Sequence, residues 1–241
     1  MPDGRSLMNV AIIPARGGSK RIPRKNLRPF CGRPIMAYSI AAARDAQIFD
    51  RIIVSTDDAE IAEFARGAGA EVPFVRPADL SNDHATTVPV IRHAIDQLQR
   101  DGVPIDNVCC IYATAPFVQQ NDLRAAYDRL VGDRIAGYVF SATSMPFPIQ
   151  RAFRIDPSGH VEMFAPENYA KRSQDLEPAY QDAGQFYWGA ASTFLSEKIF
   201  FSTESVAYLL PRHRVQDIDT AEDWERAELL FRLLQQRAGA S

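Results

Sequence analysis

Cysteine is scarce in this chain of 241 residues, and long apolar runs are absent. The three cysteines, Cys31, Cys109 and Cys110, have the spacing of neither a disulfide framework nor a metal site. We therefore expect a reducing, cytoplasmic location. No run approaches the roughly 18 apolar residues that cross a bilayer. Residues 1–9 lack the apolar core of a signal peptide, so export is not indicated, and residues 1–7 show no structural pattern.

A strong charge of either sign is also missing. The formal net charge is -3, and such mild acidity argues against a surface that binds nucleic acid. The four histidines have no metal-ligand spacing. Hydrophobic residues make up 46% of the chain and charged residues 24%, which is ordinary for a globular protein. We expect one domain over residues 1–241.

Apolar runs alternate with amphipathic stretches along most of the chain. Strands are predicted at residues 10–13, 51–55, 72–75, 108–112, 137–142, 186–189 and 207–210. Helices are predicted at residues 34–46, 59–67, 86–100, 121–130, 192–200 and 220–237, with Pro34 in the first turn of the first and Thr220 as the cap of the last. This order predicts an α/β fold with a mostly parallel, twisted sheet and helices on both faces.

The alternation stops after Ser144. Residues 145–185 are rich in aromatic side chains and contain few helix signals, and a hairpin is predicted within 153–161. We interpret this stretch as an insertion that packs against a second copy of the chain. A lid over the chain's own site is the alternative.

A basic loop follows the first predicted strand. It contains Gly17 and Gly18 and six cations, which are Arg16, Lys20, Arg21, Arg24, Lys25 and Arg28. The two glycines would let the backbone approach a ligand and point N–H groups at it, and Arg and Lys suit phosphate oxygens. We predict a polyphosphate site in which Arg16, Ser19, Lys20 and Lys25 hold phosphates and Asn26 reaches a base or a sugar hydroxyl. The loop lacks the spacing of the common P-loop, and a solvated basic turn is the alternative.

An acidic pair precedes the last predicted helix. Asp217 and Asp219 flank Ile218, and in an extended strand both carboxylates lie on one face. Taken alone, the pair fits a turn or a helix cap almost as well as a metal site. Together with a polyphosphate loop at the same sheet edge, it predicts a Mg²⁺ site, because Mg²⁺ takes one or two carboxylates and completes its shell with water and phosphate.

Two further loops carry weaker signals. Asp58, after the second predicted strand, is interpreted as a helix cap. Arg76 and a threonine hydroxyl from Thr86 or Thr87 would suit contacts with a nucleobase. A surface loop that ends in a helix cap at Thr86 explains the residues from Arg76 to Thr87 equally well.

The motifs together resemble a known family. Residues 12–26 read IIPARGGSKRIPRKN, which is similar to the signature of the acylneuraminate cytidylyltransferases, and the resemblance continues through VSTDD at 54–58, RP at 76–77 and DIDT at 217–220. It implies a Rossmann-like nucleotidyltransferase fold with an inserted dimerisation subdomain over 145–185. It also implies a Mg²⁺-dependent reaction in which CTP and a nonulosonic acid, a nine-carbon 2-keto sugar acid, give the CMP-sugar and pyrophosphate.

The chain departs from the sialic acid pattern in two stretches that meet the sugar in this family. YATAP stands at 112–116 where QPTSP is usual, and AGQFY at 183–187 where NGAIY is usual. With RSQDL at 172–176, the stretch 181–189 is similar to pseudaminic acid cytidylyltransferases. We therefore expect pseudaminic acid as the sugar. The alternatives are a synthetase for CMP-N-acetylneuraminate, CMP-legionaminate or a 3-deoxy-manno-octulosonate product, and a non-catalytic nucleotide-binding protein.

The resemblance also implies roles for individual residues. The triphosphate ligands are Arg16, Ser19, Lys20 and Lys25; the cytidine contacts are Asn26, Arg76 and Thr87; the metal ligands are Asp217 and Asp219; the sugar-pocket residues are Tyr112, Arg172, Gln185 and Tyr187. In-line attack by the C2 hydroxyl on the α-phosphate needs positioning and charge stabilisation but no covalent nucleophile. Arg16, Lys25 and Asp217 are the candidate catalytic residues, and either Asp217 or a metal-bound water takes the hydroxyl proton.

Overall fold

The computed structural model describes residues 7–239. Residues 1–6, which include most of the stretch without a sequence pattern, lie outside the described residues. Within the described chain, no helix is both long enough and apolar enough to cross a membrane.

Strands and helices alternate through most of the chain. The strands are β1 (Asn9–Pro14), β2 (Pro29–Phe30), β3 (Arg33–Pro34), β4 (Arg51–Ser55), β5 (Asn107–Ile111), β6 (Tyr138–Ser144), β7 (Phe153–Ile155), β8 (Val161–Met163), β9 (Tyr180–Ala190) and β10 (Val206–Leu209). The helices are α1 (Met36–Ala46), α2 (Ala59–Gly67), α3 (Thr87–Arg100), α4 (Gln120–Gly132), α5 (Ala191–Leu195) and α6 (Ala221–Gly239).

The central sheet has six strands in the order β10-β6-β9-β5-β1-β4. All neighbours are parallel except at β9, which runs antiparallel to both β5 and β6. This confirms the predicted mostly parallel α/β fold. β1 is apolar from Val10 to Pro14 because both faces of the sheet are covered. Ala11 and Ile13 point to one face and Val10 and Ile12 to the other, and all four are fully buried.

Helices cover both faces of the sheet, as predicted. Helices α1, α2 and α4 pack on the face of Ala11 and Ile13, and α3 and α5 on the opposite face. Helix α6 joins a third apolar cluster in which Trp224 meets Phe30 from the β2–β3 hairpin and Ile218. This cluster attaches the end of the chain to the loop that follows β1.

The cap predicted for the last helix is confirmed. Thr220 Oγ1 accepts the Asp223 N–H at 3.2 Å, and an Asp223 carboxylate oxygen accepts the Thr220 N–H at 2.8 Å. This reciprocal pair satisfies N–H groups that the first helical turn leaves free.

Three element predictions were wrong. Pro34 lies in β3, paired with Pro29, and helix α1 begins only at Met36. Residues 72–75 form no strand in the described chain; a single bridge joins Ile53 to Glu71, and Pro73 has no N–H to extend the ladder. Helix α5 ends at Leu195, and Glu197 soon afterwards adopts a left-handed backbone conformation.

The insertion leaves the sheet after β6 and returns in β9. Its predicted hairpin is confirmed, since β7 and β8 pair antiparallel with Phe153 opposite Met163. Large apolar side chains stand exposed along this stretch; they are Phe147, Ile149, Phe153, Ile155, Val161, Phe164, Tyr169 and Tyr180.

Candidate active site

The main cleft opens where β1 and β5 end, at their carboxyl edge. Ligands of open α/β sheets bind at this edge. The cleft has a volume of about 480 Å³. Nineteen of the described residues line it, among them Arg16, Ser19, Lys20, Arg21, Lys25, Asn26, Arg76, Asp83, Thr87, Tyr112 and Asp219. The sequence assigned roles to nine of the residues just named; Arg21 was counted among the cations without a role, and Asp83 was missed.

Gly17 serves the protein rather than a ligand. Its N–H donates to Asp57 Oδ1 at 2.9 Å, so the prediction that this amide points at a ligand was wrong. A Cβ at Gly17 would lie 2.7 Å from Asp58 Oδ2 and 2.9 Å from Asp58 Cβ. Glycine is required here by close packing against the start of α2. Asp58 caps that helix as predicted, accepting the Ile61 N–H at 3.0 Å.

Asp57 also fixes Arg76 at the floor of the main cleft. The Arg76 Nη2 lies 3.6 Å from Asp57 Oδ1, and its Nε donates to Ser81 Oγ at 3.2 Å. Arg76 is only 4% exposed, and this burial lowers the pKa of its guanidinium. Among the described residues, Nη2 has no hydrogen-bond acceptor. The sequence signal for Asp57 was its place two residues after β4, beside the cap residue.

Four of the six loop cations line the main cleft. Arg16 and Lys20 share one carboxylate, that of Asp83, with Arg16 Nη1 at 2.6 Å from Asp83 Oδ1. The two cations hold the pKa of Asp83 down at about 2. The two remaining cations point elsewhere: Arg24 pairs with Glu60 on α2, and Arg28 stacks on Trp224.

The basic loop meets the acidic pair, as predicted. Lys25 Nζ donates to the Ile218 carbonyl oxygen at 2.5 Å and lies 3.4 Å from Asp219 Oδ1. Arg21 pairs with the other Asp219 oxygen at 2.9 Å. The predicted strand at 217–219 was wrong, because these residues have no regular secondary structure. Ile218 is nevertheless only 1% exposed. With its side chain buried, the carboxylates of Asp217 and Asp219 on either side of it line the main cleft or the cavity beside it.

An acidic cavity of about 400 Å³ adjoins the main cleft at Asp219. Its charged lining residues are four aspartates, Asp182, Asp217, Asp219 and Asp223, and two arginines, Arg212 and Arg226. Partial burial and then the neighbouring Asp219 raise the pKa of Asp217. Two carboxylates that repel each other fit a divalent cation, which would relieve that repulsion. No group of three or more His, Cys, Asp or Glu in the described chain has the geometry of a metal site, but Mg²⁺ bound with a polyphosphate needs only one or two carboxylates.

An aromatic cavity of about 640 Å³ adjoins the main cleft at Thr87 and Tyr112. The Thr87 and Tyr112 hydroxyls lie 3.0 Å apart, and the Tyr112 and Tyr187 rings lie 5.4 Å apart. Tyr187 donates to the carboxylate of Asp182. Burial raises the pKa of Tyr112 to about 12, so its hydroxyl keeps its proton at neutral pH. The aromatic cavity also contains Phe200 and Phe201, which the sequence analysis did not select.

Two predicted sugar-pocket residues lie away from these cavities. Gln185 is 3% exposed, and its Nε2 donates to the Arg214 carbonyl oxygen at 2.6 Å. Arg172 lies in the insertion, exposed, with its Nε 2.7 Å from Asp175 Oδ2. Asn26 lines the main cleft, but its Nδ2 donates to the Arg16 carbonyl oxygen at 2.9 Å and so supports the basic loop.

Comparison with known proteins identifies the family of this chain. A family model described as cytidylyltransferase matches residues 10–210. A pseudaminic acid cytidylyltransferase of Campylobacter jejuni is 46% identical over 227 residues, covering 94% of this chain and 97% of the relative. A CMP-N,N'-diacetyllegionaminic acid synthase of Legionella pneumophila is 32% identical and covers the same shares of the two chains.

The fold is shared with solved structures of low sequence identity. A CMP:2-keto-3-deoxy-manno-octonic acid synthetase in complex with CTP superposes with a TM-score of 0.67 at 15% identity, covering 94% of this chain and 99% of the other. The family resemblance drawn from the sequence is thus confirmed, and the chain belongs to the cytidylyltransferase family.

Proposed function

We propose that the protein transfers CMP from CTP to pseudaminic acid and releases pyrophosphate. One observation carries the proposal: Lys25 and Arg21 of the basic loop contact Asp219 in the cleft of a cytidylyltransferase fold. Phosphate-binding cations and metal-binding carboxylates are thereby within reach of a single nucleotide. The 46% identical Campylobacter jejuni relative supports the choice of sugar.

The triphosphate binds the cations of the basic loop. Arg16, Lys20 and Lys25 neutralise its charge, and Ser19 donates a hydroxyl hydrogen bond. Because Asp83 engages Arg16 and Lys20, the triphosphate must displace this carboxylate to bind. The cytosine lies near Arg76, whose buried Nη2 still lacks an acceptor among the described residues. A cytosine carbonyl or ring nitrogen would provide one, and Thr87 and Asn26 complete the nucleoside contacts.

Asp217 and Asp219 would hold Mg²⁺. When bound, this ion neutralises phosphate charge and favours attack at the α-phosphorus. Arg21 and Lys25 already contact Asp219, so this carboxylate would link the metal site to the cations of the basic loop. Asp217 has fewer cationic neighbours than Asp219, so its carboxylate is the candidate proton acceptor where it is not holding the ion.

The acceptor sugar lies in the aromatic cavity beside Tyr112 and Tyr187. Its C2 hydroxyl attacks the α-phosphorus in line, the bond to the β-phosphate oxygen breaks, and pyrophosphate leaves. The hydroxyl proton passes to Asp217 or to water. Lys25 and Arg16 stabilise the charge that builds on the leaving pyrophosphate.

The insertion is proposed to form a homodimer. Its exposed apolar side chains, such as Phe153 and Ile155, form a surface of the kind that marks protein interfaces. Arg172 lies in the insertion, so in a dimer it would approach a sugar pocket only if the insertion extends to that pocket. Sedimentation should show the parent as a dimer and Ile155→Asp as a monomer, with Val131→Asp on α4 as the surface control. A monomeric parent would remove this part of the proposal.

Pyrophosphate release from CTP tests the reaction. We expect release only when both Mg²⁺ and a nonulosonic acid are present, and fastest with pseudaminic acid in a panel that includes N-acetylneuraminic, legionaminic and 3-deoxy-manno-octulosonic acids. Faster release with another sugar would identify that sugar, in place of pseudaminic acid, as the substrate. No release with any of them, while CTP still binds, would favour a non-catalytic nucleotide-binding protein. We place the reaction in a reducing cytoplasm, where free thiols such as those of Cys31, Cys109 and Cys110 persist.

A further inference from the structure

The segment that carries the two aspartates is held at its end by Lys25, Arg21 and Asp223, which contact Ile218 and Asp219. Residues 215–219 form neither helix nor strand. At its start, the Leu210 N–H donates to the Ala142 carbonyl oxygen at 2.7 Å, and the Leu210 carbonyl oxygen accepts the Thr143 hydroxyl at 2.9 Å. At its end, Ile218 is buried in the apolar cluster around α6. Asp217 therefore depends on what holds the chain between these two points.

Between these points Gln216 makes short-range bonds, its Nε2 donating to the Asp217 carbonyl oxygen at 2.8 Å and to Asp223 Oδ1 at 3.3 Å, and Arg214 attaches the chain to more distant elements. Its guanidinium forms a two-pronged ion pair with Asp122 on α4, at 2.6 Å from Nη1 to Oδ2 and 3.1 Å from Nη2 to Oδ1. Tyr208 donates to Asp122 Oδ1 at 3.2 Å. The two paired side chains are only 14% and 8% exposed.

A second contact holds the backbone of the same residue. Gln185, on β9, donates its side-chain amide to the Arg214 carbonyl oxygen at 2.6 Å. Arg214 is thus tied to helix α4 through its side chain and to the central sheet through its backbone. The first proposed metal ligand follows only three residues later in the chain.

We propose that Asp122 is a positioning residue for Asp217 and Asp219 and acts through Arg214. The inference rests on the proposed metal-binding role of the two aspartates. A bidentate Arg–carboxylate pair fixes orientation as well as distance, and this pair sets where the aspartate segment crosses the sheet edge. Removing one charge leaves the other buried without a partner, so Arg214 would move toward water and take the following residues with it.

Asp122→Asn tests the proposal, because it removes the charge and preserves the shape of the side chain. Metal binding is followed as the dissociation constant of Mn²⁺ alone, by electron paramagnetic resonance of the free ion. We expect Mn²⁺ to bind about tenfold more weakly, the order seen when groups that support metal ligands are removed. The affinity for CTP in EDTA should fall less than the affinity for Mn²⁺, because Lys25 contacts the aspartate segment whereas Arg16, Lys20 and Arg76 are held by Asp83 and Asp57.

Matched variants separate positioning from general damage. Asp128→Asn lies exposed on the same helix and should bind Mn²⁺ like the parent. Arg214→Lys keeps the charge and loses the two-pronged geometry, so it should fall between the parent and Asp122→Asn; it replaces that variant in the test if Asp122→Asn does not fold. Parental Mn²⁺ affinity in a folded Asp122→Asn, or equal losses for Mn²⁺ and for CTP in EDTA, would overturn the proposal.

Asp217→Asn distinguishes a failure of this inference from a failure of the proposed metal site. If Asp217→Asn still binds Mn²⁺ like the parent, the metal site itself is wrong. If Asp217→Asn loses Mn²⁺ and Asp122→Asn does not, the metal site stands and the positioning role of Asp122 is wrong.

Discussion

The basic loop and the aspartate segment meet at the main cleft but differ in what supports their backbones. The backbone of the basic loop is supported by the loop's own residues, since the Asn26 side chain donates to the Arg16 carbonyl oxygen and the Leu27 N–H to the Arg24 carbonyl oxygen, while its cations pair with the distant Asp83, Glu60 and Asp219. The aspartate segment is held by residues far away in the chain, such as Asp122, Gln185 and Lys25. Local contacts leave a contiguous motif in the sequence, whereas distant contacts do not.

Removing one charge from either side of the cleft should have the largest effect. Lys25→Ala and Asp219→Ala should each lower kcat about a hundredfold or more, because each removes a charge that stabilises the transferring phosphates. The measurement is kcat with CTP and sugar acid saturating and with the fold verified by circular dichroism. Arg24→Ala is the control, since Arg24 belongs to the same loop but pairs with Glu60. Turnover close to that of the parent in both variants would contradict the proposed catalytic roles of Lys25 and Asp219.

The aromatic cavity should respond separately from the main cleft. Tyr187→Phe removes the hydroxyl that donates to Asp182, leaving that carboxylate without this partner. We expect KM for the sugar acid to rise about tenfold, since the loss of one hydrogen bond to a charged group is of that order, while KM for CTP stays unchanged. Tyr127→Phe, on α4 against Trp188, is the control. An equal rise in both KM values would show that the cavities do not act separately.

Asp83 should weaken the binding of the CTP triphosphate. Asp83→Asn removes the carboxylate that occupies Arg16 and Lys20, so CTP no longer has to displace it. We expect CTP to bind about threefold more tightly, which is the scale of exposed ion pairs, and the gain to shrink at high salt. Calorimetry in EDTA measures it, with Asp79→Asn in the same loop as the control. Weaker binding would mean that Asp83 supports the nucleotide site.

The smallest effect concerns the stability of the metal-free protein. The pKa of Asp217 is raised, so its ionised form is disfavoured in the folded state and lowers stability at neutral pH. That cost disappears as the pH falls below the ordinary aspartate value. Asp217→Asn should therefore slightly raise Tm at neutral pH without metal and leave Tm unchanged at acid pH. A fall in Tm at neutral pH would show that the carboxylate stabilises the fold.

The sequence predicted the elements whose signals are local. Helix α2 and strand β4 were predicted to the residue, because a buried apolar run and an Asp58 cap mark their ends. The errors fell where neighbours override local preference: Pro34 pairs with Pro29 in a hairpin instead of starting a helix. At residues 217–219, the alternation of burial was predicted correctly, but no neighbouring strand of the described chain pairs with them.

The sequence by itself determined the fold class, through the alternation of apolar runs and amphipathic stretches, and the family and the chemical character of the basic loop, through short contiguous motifs. The tertiary structure alone decided that Asp83 occupies two of the loop's cations, that Gln185 lies in the core, and that Asp122 holds Arg214. Each of these contacts joins residues that are distant in the chain. The choice among such partners depends on how the sheet and its helices pack, and periodicity and spacing do not encode that packing.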